Sequence, residues 1–267
     1  MNVLITETLL DYCDSDDYAL QTEALLQLVD AEVYEAVPKI LRLLKSSDEL
    51  IRSHAAEALG YLGIEEVETV GPALMPLLKD PEELVRSETV EALGELGYTP
   101  AIAPIEHILR NDPSALVRAS AAETLGYLED PEAIKTLELS LLDADEDRAV
   151  RGYAANSIGI LGTSQLLPKL EKYLKLELPL SVKAELLGAM YWLGAKEYLK
   201  QLLSLLDNAD ELLAMIILNI LTDLTEREPR PNLAKDAPDL ERVLSAIAQR
   251  FPLMRHQADE ILADCMN

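Results

Sequence analysis

The chain has 267 residues, and its 48 Asp and Glu against 23 Lys and Arg give a formal charge of −25. That field repels phosphate backbones and anionic membrane surfaces and attracts basic proteins, which argues against nucleic acid or a membrane as partner. Hydrophobic residues at 49% and aromatics at 4% exclude disorder and predict a core of Leu, Ala, Val and Ile, in two domains or one elongated array.

The first stretch, "MNVLITETLLDYCDSDD", has no basic segment followed by a long apolar run, so no secretory signal is expected and a cytoplasmic location is. The most apolar run, "LLAMIILNIL", falls short of the roughly 18 residues a membrane helix needs and reads as a core helix. Cys13 and Cys265 stand near opposite ends without metal-ligand spacing and read as isolated structural thiols of a reducing cytosol.

From Ile51 onward the chain rewrites one helix. "IRSHAAEALGYLG" at Ile51 is followed by "VRSETVEALGELG" at Val85, "VRASAAETLGYLE" at Val117, "VRGYAANSIGILG" at Val150 and "VKAELLGAMYWLG" at Val182. The starts differ by 34, 32, 33 and 32 residues. Weaker copies begin near Asp17, Leu213 and Met254, so eight units cover residues 1–267 as a single array. Self-similarity at this period predicts an all-α solenoid, in which each unit buries its apolar face against its neighbours.

Each unit reads as two helices, the copied segment being the second. Ile51, Ala55, Ala58, Leu59 and Leu62 recur at the spacing of one helix face. "DPEELVR" predicts a start capped by Asp80, with Pro81 in the first turn and Glu83 completing a capping box; "DPSALVR" at Asp112 repeats it. Gly63, Gly97, Gly162 and Gly194 are expected as left-handed caps at the helix ends. The first helices carry Pro38, Pro72, Pro104 and Pro168 in their first turn or at a kink. Gly60, Gly94, Gly126 and Gly159 recur inside the second helix, where each costs about 1 kcal/mol against Ala, and predict close approach of successive helices. The column Arg52, Arg86, Arg118 and Arg151 reads as a salt-bridge or carbonyl-bonding ladder between neighbours.

This pattern, Val-Arg followed by Ala-Ala-Glu-Ala-Leu-Gly and a closing Leu-Gly every thirty-odd residues, resembles the HEAT-like repeats of the phycobilin-lyase type. The resemblance covers nearly the whole chain and implies two-helix repeats whose second helices line a concave wall. For function it implies only a range, from bilin lyases to scaffolds and inhibitors.

With Ile51, Ala55, Leu59 and Leu62 turned inward, 100° per residue sends Ser53 and Glu57 to the opposite side, flanked by His54 and Tyr61. Down the array the Glu57 position holds Glu23, Glu57, Glu91, Glu123, Asn156, Gly188, Asn219 and Glu260. The Tyr61 position holds Tyr61, Glu95, Tyr127, Ile160 and Trp192, and the His54 position holds His54, Glu88, Ser120, Tyr153 and Glu185. An acidic wall studded with Tyr and Trp is what a binder of a Lys/Arg-rich surface presents. The plain alternative is that Glu is a good helix former on a solvated face. The candidate protein-binding residues are therefore Glu23, His54, Glu57, Tyr61, Glu88, Glu91, Glu95, Glu123, Tyr127, Tyr153 and Trp192.

Between the last two units the spacing widens to 41 residues, and the excess around residues 225–239, "TEREPRPNLAKDAPD", carries three prolines with Arg227, Arg230 and Lys235. It reads as a functional loop, as a tolerated insertion or as the start of a capping unit. Signs of chemistry are few. The three histidines fall at unmatched positions, the His-Glu dipeptides by which some HEAT-like relatives bind iron are missing, and phosphate loops and nucleophile elbows are absent. No metal, cofactor or catalytic residue is expected. The reading that follows is a non-enzymatic scaffold binding a basic protein, as a monomer or in a heterocomplex, for instance a cytosolic inhibitor or immunity protein of a toxin or nuclease. A phycobilin lyase or lyase subunit and a general assembly adaptor are the alternatives.

Overall fold

A computed structural model describes residues 3–266, with side chains from 6 to 265. The described residues form helices and connecting turns without a strand. They fall into two compact units, Met1–Ala133 and Ile134–Asn267.

Unit 1 comprises α1 (Val3–Tyr12), α2 (Tyr18–Asp30), α3 (Val37–Leu43), α4 (Glu49–Leu62), α5 (Val67–Leu74), α6 (Glu83–Glu95), α7 (Ile102–Asn111) and α8 (Ala115–Tyr127). The even-numbered helices stack in sequence, α2 on α4, α4 on α6 and α6 on α8, and the odd-numbered ones back them. Unit 2 comprises α9 (Ile134–Leu142), α10 (Arg148–Leu161), α11 (Leu167–Tyr173), α12 (Leu180–Trp192), α13 (Glu197–Ser204), α14 (Glu211–Glu226), α15 (Leu233–Asp236), α16 (Leu240–Arg250) and α17 (Arg255–Met266). There α10, α12, α14 and α17 stack in the same way. This is the all-α solenoid arrangement that the repeat predicts, each helix pair burying its apolar face on the next.

The inward residues are those of the periodic pattern: Ile51, Ala55, Ala58, Leu59 and Leu62 are all buried, as are Val117, Ala121 and Leu125. Ser53 is a correction. It is buried rather than outward, as are Ser87 and Ser120, because a second helix is covered by its own first helix and by a second helix on each side. Little of its circumference is left for solvent, and a small hydroxyl fits between stacked helices where a longer polar chain does not.

The caps also differ from expectation. Asp80 does not cap α6: the cap position is Glu82, without a side-chain bond. Asp80 instead accepts the Glu82 amide (3.1 Å) and both Nε and Nη2 of Arg52 (2.8 and 2.9 Å). Asp112 does the same with the Ser114 amide (2.9 Å) and Arg86 (2.8 and 2.9 Å). The arginine outcompetes the helix end because a planar fork satisfies both carboxylate oxygens at once. Each arginine's Nη1 also donates to a carbonyl six residues upstream: Arg52 to Ser46, Arg86 to Asp80 and Arg118 to Asp112. Arg151 reaches the Leu141 carbonyl through Nε (3.0 Å). The expected ladder is thus present, with the carboxylate rungs of Arg52 and Arg86 joining one repeat to the next and the carbonyl bonds of Arg118 and Arg151 lying within their own repeats.

Of the four expected left-handed caps, Gly97 (φ 60°) and Gly194 (φ 102°) have that conformation. Gly63 and Gly162 do not, with φ of −87° and −83°. Glu129, after α8, takes φ 55° without being glycine. Pro38 and Pro168 lie in the first turns of α3 and α11, whereas Pro72 falls inside α5.

The internal glycines mark close approach. A Cβ on Gly60 would meet Ala92 Cα at 3.0 Å, one on Gly94 would meet Thr124 Cγ2 at 2.8 Å, and one on Gly159 would meet Ala189 Cβ at 2.7 Å and its Cα at 2.9 Å. On the same helix as Gly159, a Cβ on Gly152 would meet only Glu185 Cγ, at 3.4 Å. Gly159→Ala is expected to destabilise by about 1–3 kcal/mol, because the obstruction is backbone. Gly152→Ala should be neutral or stabilise by up to about 1 kcal/mol through helix propensity. Denaturant titration of the two variants checks the pair, and equal effects would contradict the packing.

Candidate functional site

The helices α4, α6 and α8 of unit 1 bring an acidic group together. Ser120 Oγ donates to Glu91 Oε1 (2.6 Å), so the Ser87 hydroxyl, 2.8 Å from Ser120 Oγ, is the donor of that second bond. The buried serine pair thus ties α6 to α8 and holds one oxygen of Glu91. Next to it Glu88 is half-buried. Burial, then the charges of Glu91 and Glu57, push its carboxyl up to about 7. His54 Nδ1 lies 3.3 Å from Glu57 Oε2. Tyr61 is 50% exposed. Its hydroxyl is raised by burial and then by the charges of Glu95, Glu57, Glu88 and Glu91. Glu23 is exposed on α2 and accepts from Gln27 Nε2 (3.0 Å), Glu123 is half-buried on α8, and Tyr127 is exposed.

Glu88 gives this face a pH signature. A carboxyl at 4.5 in the unfolded chain and about 7 in the folded one leaves the folded chain holding a proton that the unfolded chain has released. Its contribution to stability is full below 4.5 and is lost as pH rises through about 7. Glu88→Gln removes that loss. The variant's advantage in melting temperature over the parent should grow across this window and level off above it; a constant difference from acid to alkaline pH would refute the assignment.

In unit 2, Tyr153 is exposed on α10, and Trp192 at the end of α12 is half-buried because something covers it. The cover is Arg227, from the segment the sequence marks as an insert. Its guanidinium carbon sits 5.1 Å from the Trp192 ring centroid. Nη2 donates to Asn156 Oδ1 (2.6 Å) and to the Asp223 carboxylate. Glu185, Gly188 and Ile220 line the small recess beneath. Other residues of the insert are built in as well. Leu233 and Ala237 are buried, and Asp236 accepts from Tyr191 Oη (3.0 Å) and Lys196 Nζ (2.9 Å). Burial, then this bond to Asp236, raises the Tyr191 hydroxyl. Parts of the segment thus pack into unit 2 and lead through α15 into α16 and α17. The sequence signal was its local cations, but a contact spanning 71 residues, from Arg227 to Asn156, leaves no local pattern.

Among the described residues no group of three or more His, Cys, Asp or Glu is arranged to hold a metal, and no helix is long and apolar enough to cross a membrane. Cys13 is buried and free, and burial raises its thiol.

A family model described as HEAT repeats matches residues 6–70, 67–125 and 102–186. No curated protein matches the chain. Among solved structures it is similar to a chain of the complex of CpcE and CpcF of phycocyanin lyase from Nostoc sp. PCC7120, at 21% identity and a TM-score of 0.61, over 86% of this chain and 93% of that one. It is also similar to importin beta crystallised in a polyethylene glycol condition, at 15% identity and a TM-score of 0.53, over 96% of this chain and 41% of that one. At such identities the likeness is one of fold.

Proposed function

Since the chain belongs to the HEAT-repeat family, whose stacked helices offer extended binding surfaces, we propose that it binds a basic protein through the second-helix face of unit 1 without catalysing a reaction on it. The carrying observation is the patch around Tyr61, where Glu57, Glu88, Glu91 and Glu95 all act on one exposed ring. The groups that shift Glu88 include no Lys or Arg. Glu23, His54, Glu123 and Tyr127 extend the same face, and Tyr153 and Trp192 are candidate contacts of unit 2. Carboxylates that repel one another raise the energy of the unbound face, and a cationic surface relieves it. A cytosolic inhibitor or immunity protein of a basic toxin is the narrower form of this role, which charge steering would speed; an assembly adaptor is the broader.

The test starts from the partner recovered on the immobilised chain. Changing Glu57, Glu91 and Glu123 together to Gln should slow association at least about tenfold at low salt and flatten its salt dependence, with little change in dissociation. Unchanged association kinetics in that variant would move the binding site off this face.

A second reading, a subunit of a phycocyanin-lyase type complex, draws on the fold likeness to the CpcE–CpcF complex along 86% of this chain. A shift of visible absorbance on incubation with bilin would favour it over the first.

A further inference from the structure

The first turns of α4, α6 and α8 share a feature that their acidic columns do not account for. Leu50, Leu84 and Leu116 are each the second residue after a helix cap, at Asp48, Glu82 and Ser114. They are 51%, 40% and 50% exposed. One exposed leucine is ordinary, but three at the same place on successive stacked helices make a row. The glycine joints align it. Gly60, ten residues after Leu50, abuts Ala92, eight after Leu84, and Gly94 abuts Thr124 by the same rule. An offset of two residues displaces neighbouring helices by only about 3 Å along their axes. In unit 2 the row is broken, with Ala149 and Ser181 at the same place before Leu212.

The leucines belong to the acidic face. His54, Glu57 and Tyr61 follow Leu50 by four, seven and eleven residues, which keeps all four within about 60° of the circumference of α4. The same steps from Leu84 reach Glu88, Glu91 and Glu95 on α6. The leucines thus border the carboxylates along one edge, and the exposed Glu49 and Glu83 precede two of them. The Lys and Arg residues of α4, α6 and α8 are Arg52, Arg86 and Arg118, which bond Asp80, Asp112 and the Asp112 carbonyl. A cover for this row is therefore apolar at its centre and cationic at its margins. Its conformation follows from the pitch. Stacked helices repeat at about 8–10 Å. Residues seven apart on an α-helix share a face at about 10.5 Å, whereas same-face residues of a strand recur at about 6.6 or 13 Å.

We propose that Leu50, Leu84 and Leu116 seat an amphipathic basic helix of the partner, laid across α4, α6 and α8 with apolar residues seven apart and Lys or Arg on its flanks. The proposal rests on the reading of this face as a basic-protein site and names the element it takes. Two heptads, about 21 Å, span the row. The probe is a helix-forming peptide of about eighteen residues with leucines on one face and lysines around the rest. Its control has the same composition with the leucines scattered around the helix. Fluorescence anisotropy with the full chain at physiological salt compares the two. The patterned peptide should bind at least about tenfold tighter. Leu84→Ala together with Leu116→Ala should erase most of that preference and leave the scattered peptide's affinity within about twofold. Leu139→Ala, at a residue 64% exposed on α9, should change neither affinity. Equal affinity for the two peptides, a preference that survives the double change, or an equal loss in Leu139→Ala overturns the leucine seat and leaves the basic-protein reading standing. Binding of neither peptide overturns both.

Discussion

Arg86→Ala is expected to lower the unfolding free energy by about 3–5 kcal/mol, because it strands a buried carboxylate. The Arg86 and Asp112 side chains are only 10% and 7% exposed. Burial alone would raise the Asp112 carboxyl, but the hydrogen bonds from Arg86 and the Ser114 amide outweigh it and hold the group below its usual range. Without the arginine, Asp112 must either take up a proton or stay charged in a dry setting. The double variant Arg86→Met with Asp112→Asn removes both charges while leaving an acceptor for Ser114, and it should recover part of the loss. The remainder belongs to the carbonyls of Asp80 and Pro81, which also lose Arg86 as donor. Denaturant titrations of the single and double variants decide the matter: equal losses would place the whole cost on those carbonyls.

Leu125→Ala is expected to cost about 2–5 kcal/mol, from lost transfer energy and the cavity left behind. Leu125 is among the largest fully buried side chains, at 0% exposure on α8. Leu116, on the same helix and 50% exposed, is the control, and its change to Ala should stay within about 0.5 kcal/mol. A small effect at Leu125 would mean that unit 1 is not held by the stacking of second helices.

The helices were legible because their apolar residues recur at one spacing, and packing followed it: Ile51, Leu59, Leu93 and Leu125 are all buried. What the helical wheel could not convey is that a repeat has more than one inward side. Ser53, Ser87 and Ser120 look outward on a wheel drawn for a single core, yet each is buried in the stack. The Asp80 and Asp112 assignments failed for a related reason. A local capping signature competes with a partner about thirty residues upstream, and the bidentate arginine wins. The acidic columns are a pattern of the sequence, and in unit 1 the charges of Glu57, Glu88, Glu91 and Glu95 all raise the Tyr61 hydroxyl. That Glu88 is the member whose carboxyl burial pushes up to about 7 was not legible, since burial depends on how deeply each position sits between helices. Nor was the cover on Trp192, which comes from a non-repeating segment.

The glycine joints have a consequence for how such a chain can change its length. Gly60 against Ala92, Gly94 against Thr124 and Gly159 against Ala189 each set the tenth residue of one repeat on the eighth of the next. Arg52 with Asp80 and Arg86 with Asp112 are paired by the same relative rule. A joint specified by relative position alone is interchangeable. Excising one repeat length of 34 residues, 61–94, would bring Gly60 onto Thr124 and Arg52 onto Asp112 with each interlock re-formed. Removing one residue from within a helix would instead turn its remainder by about 100° and set small residues against large ones, whereas the connecting turns already absorb one or two residues, the starts being 34, 32, 33 and 32 apart. The helices can therefore be added or removed only as whole repeats, and each step would add or remove one rung of carboxylates on the acidic face.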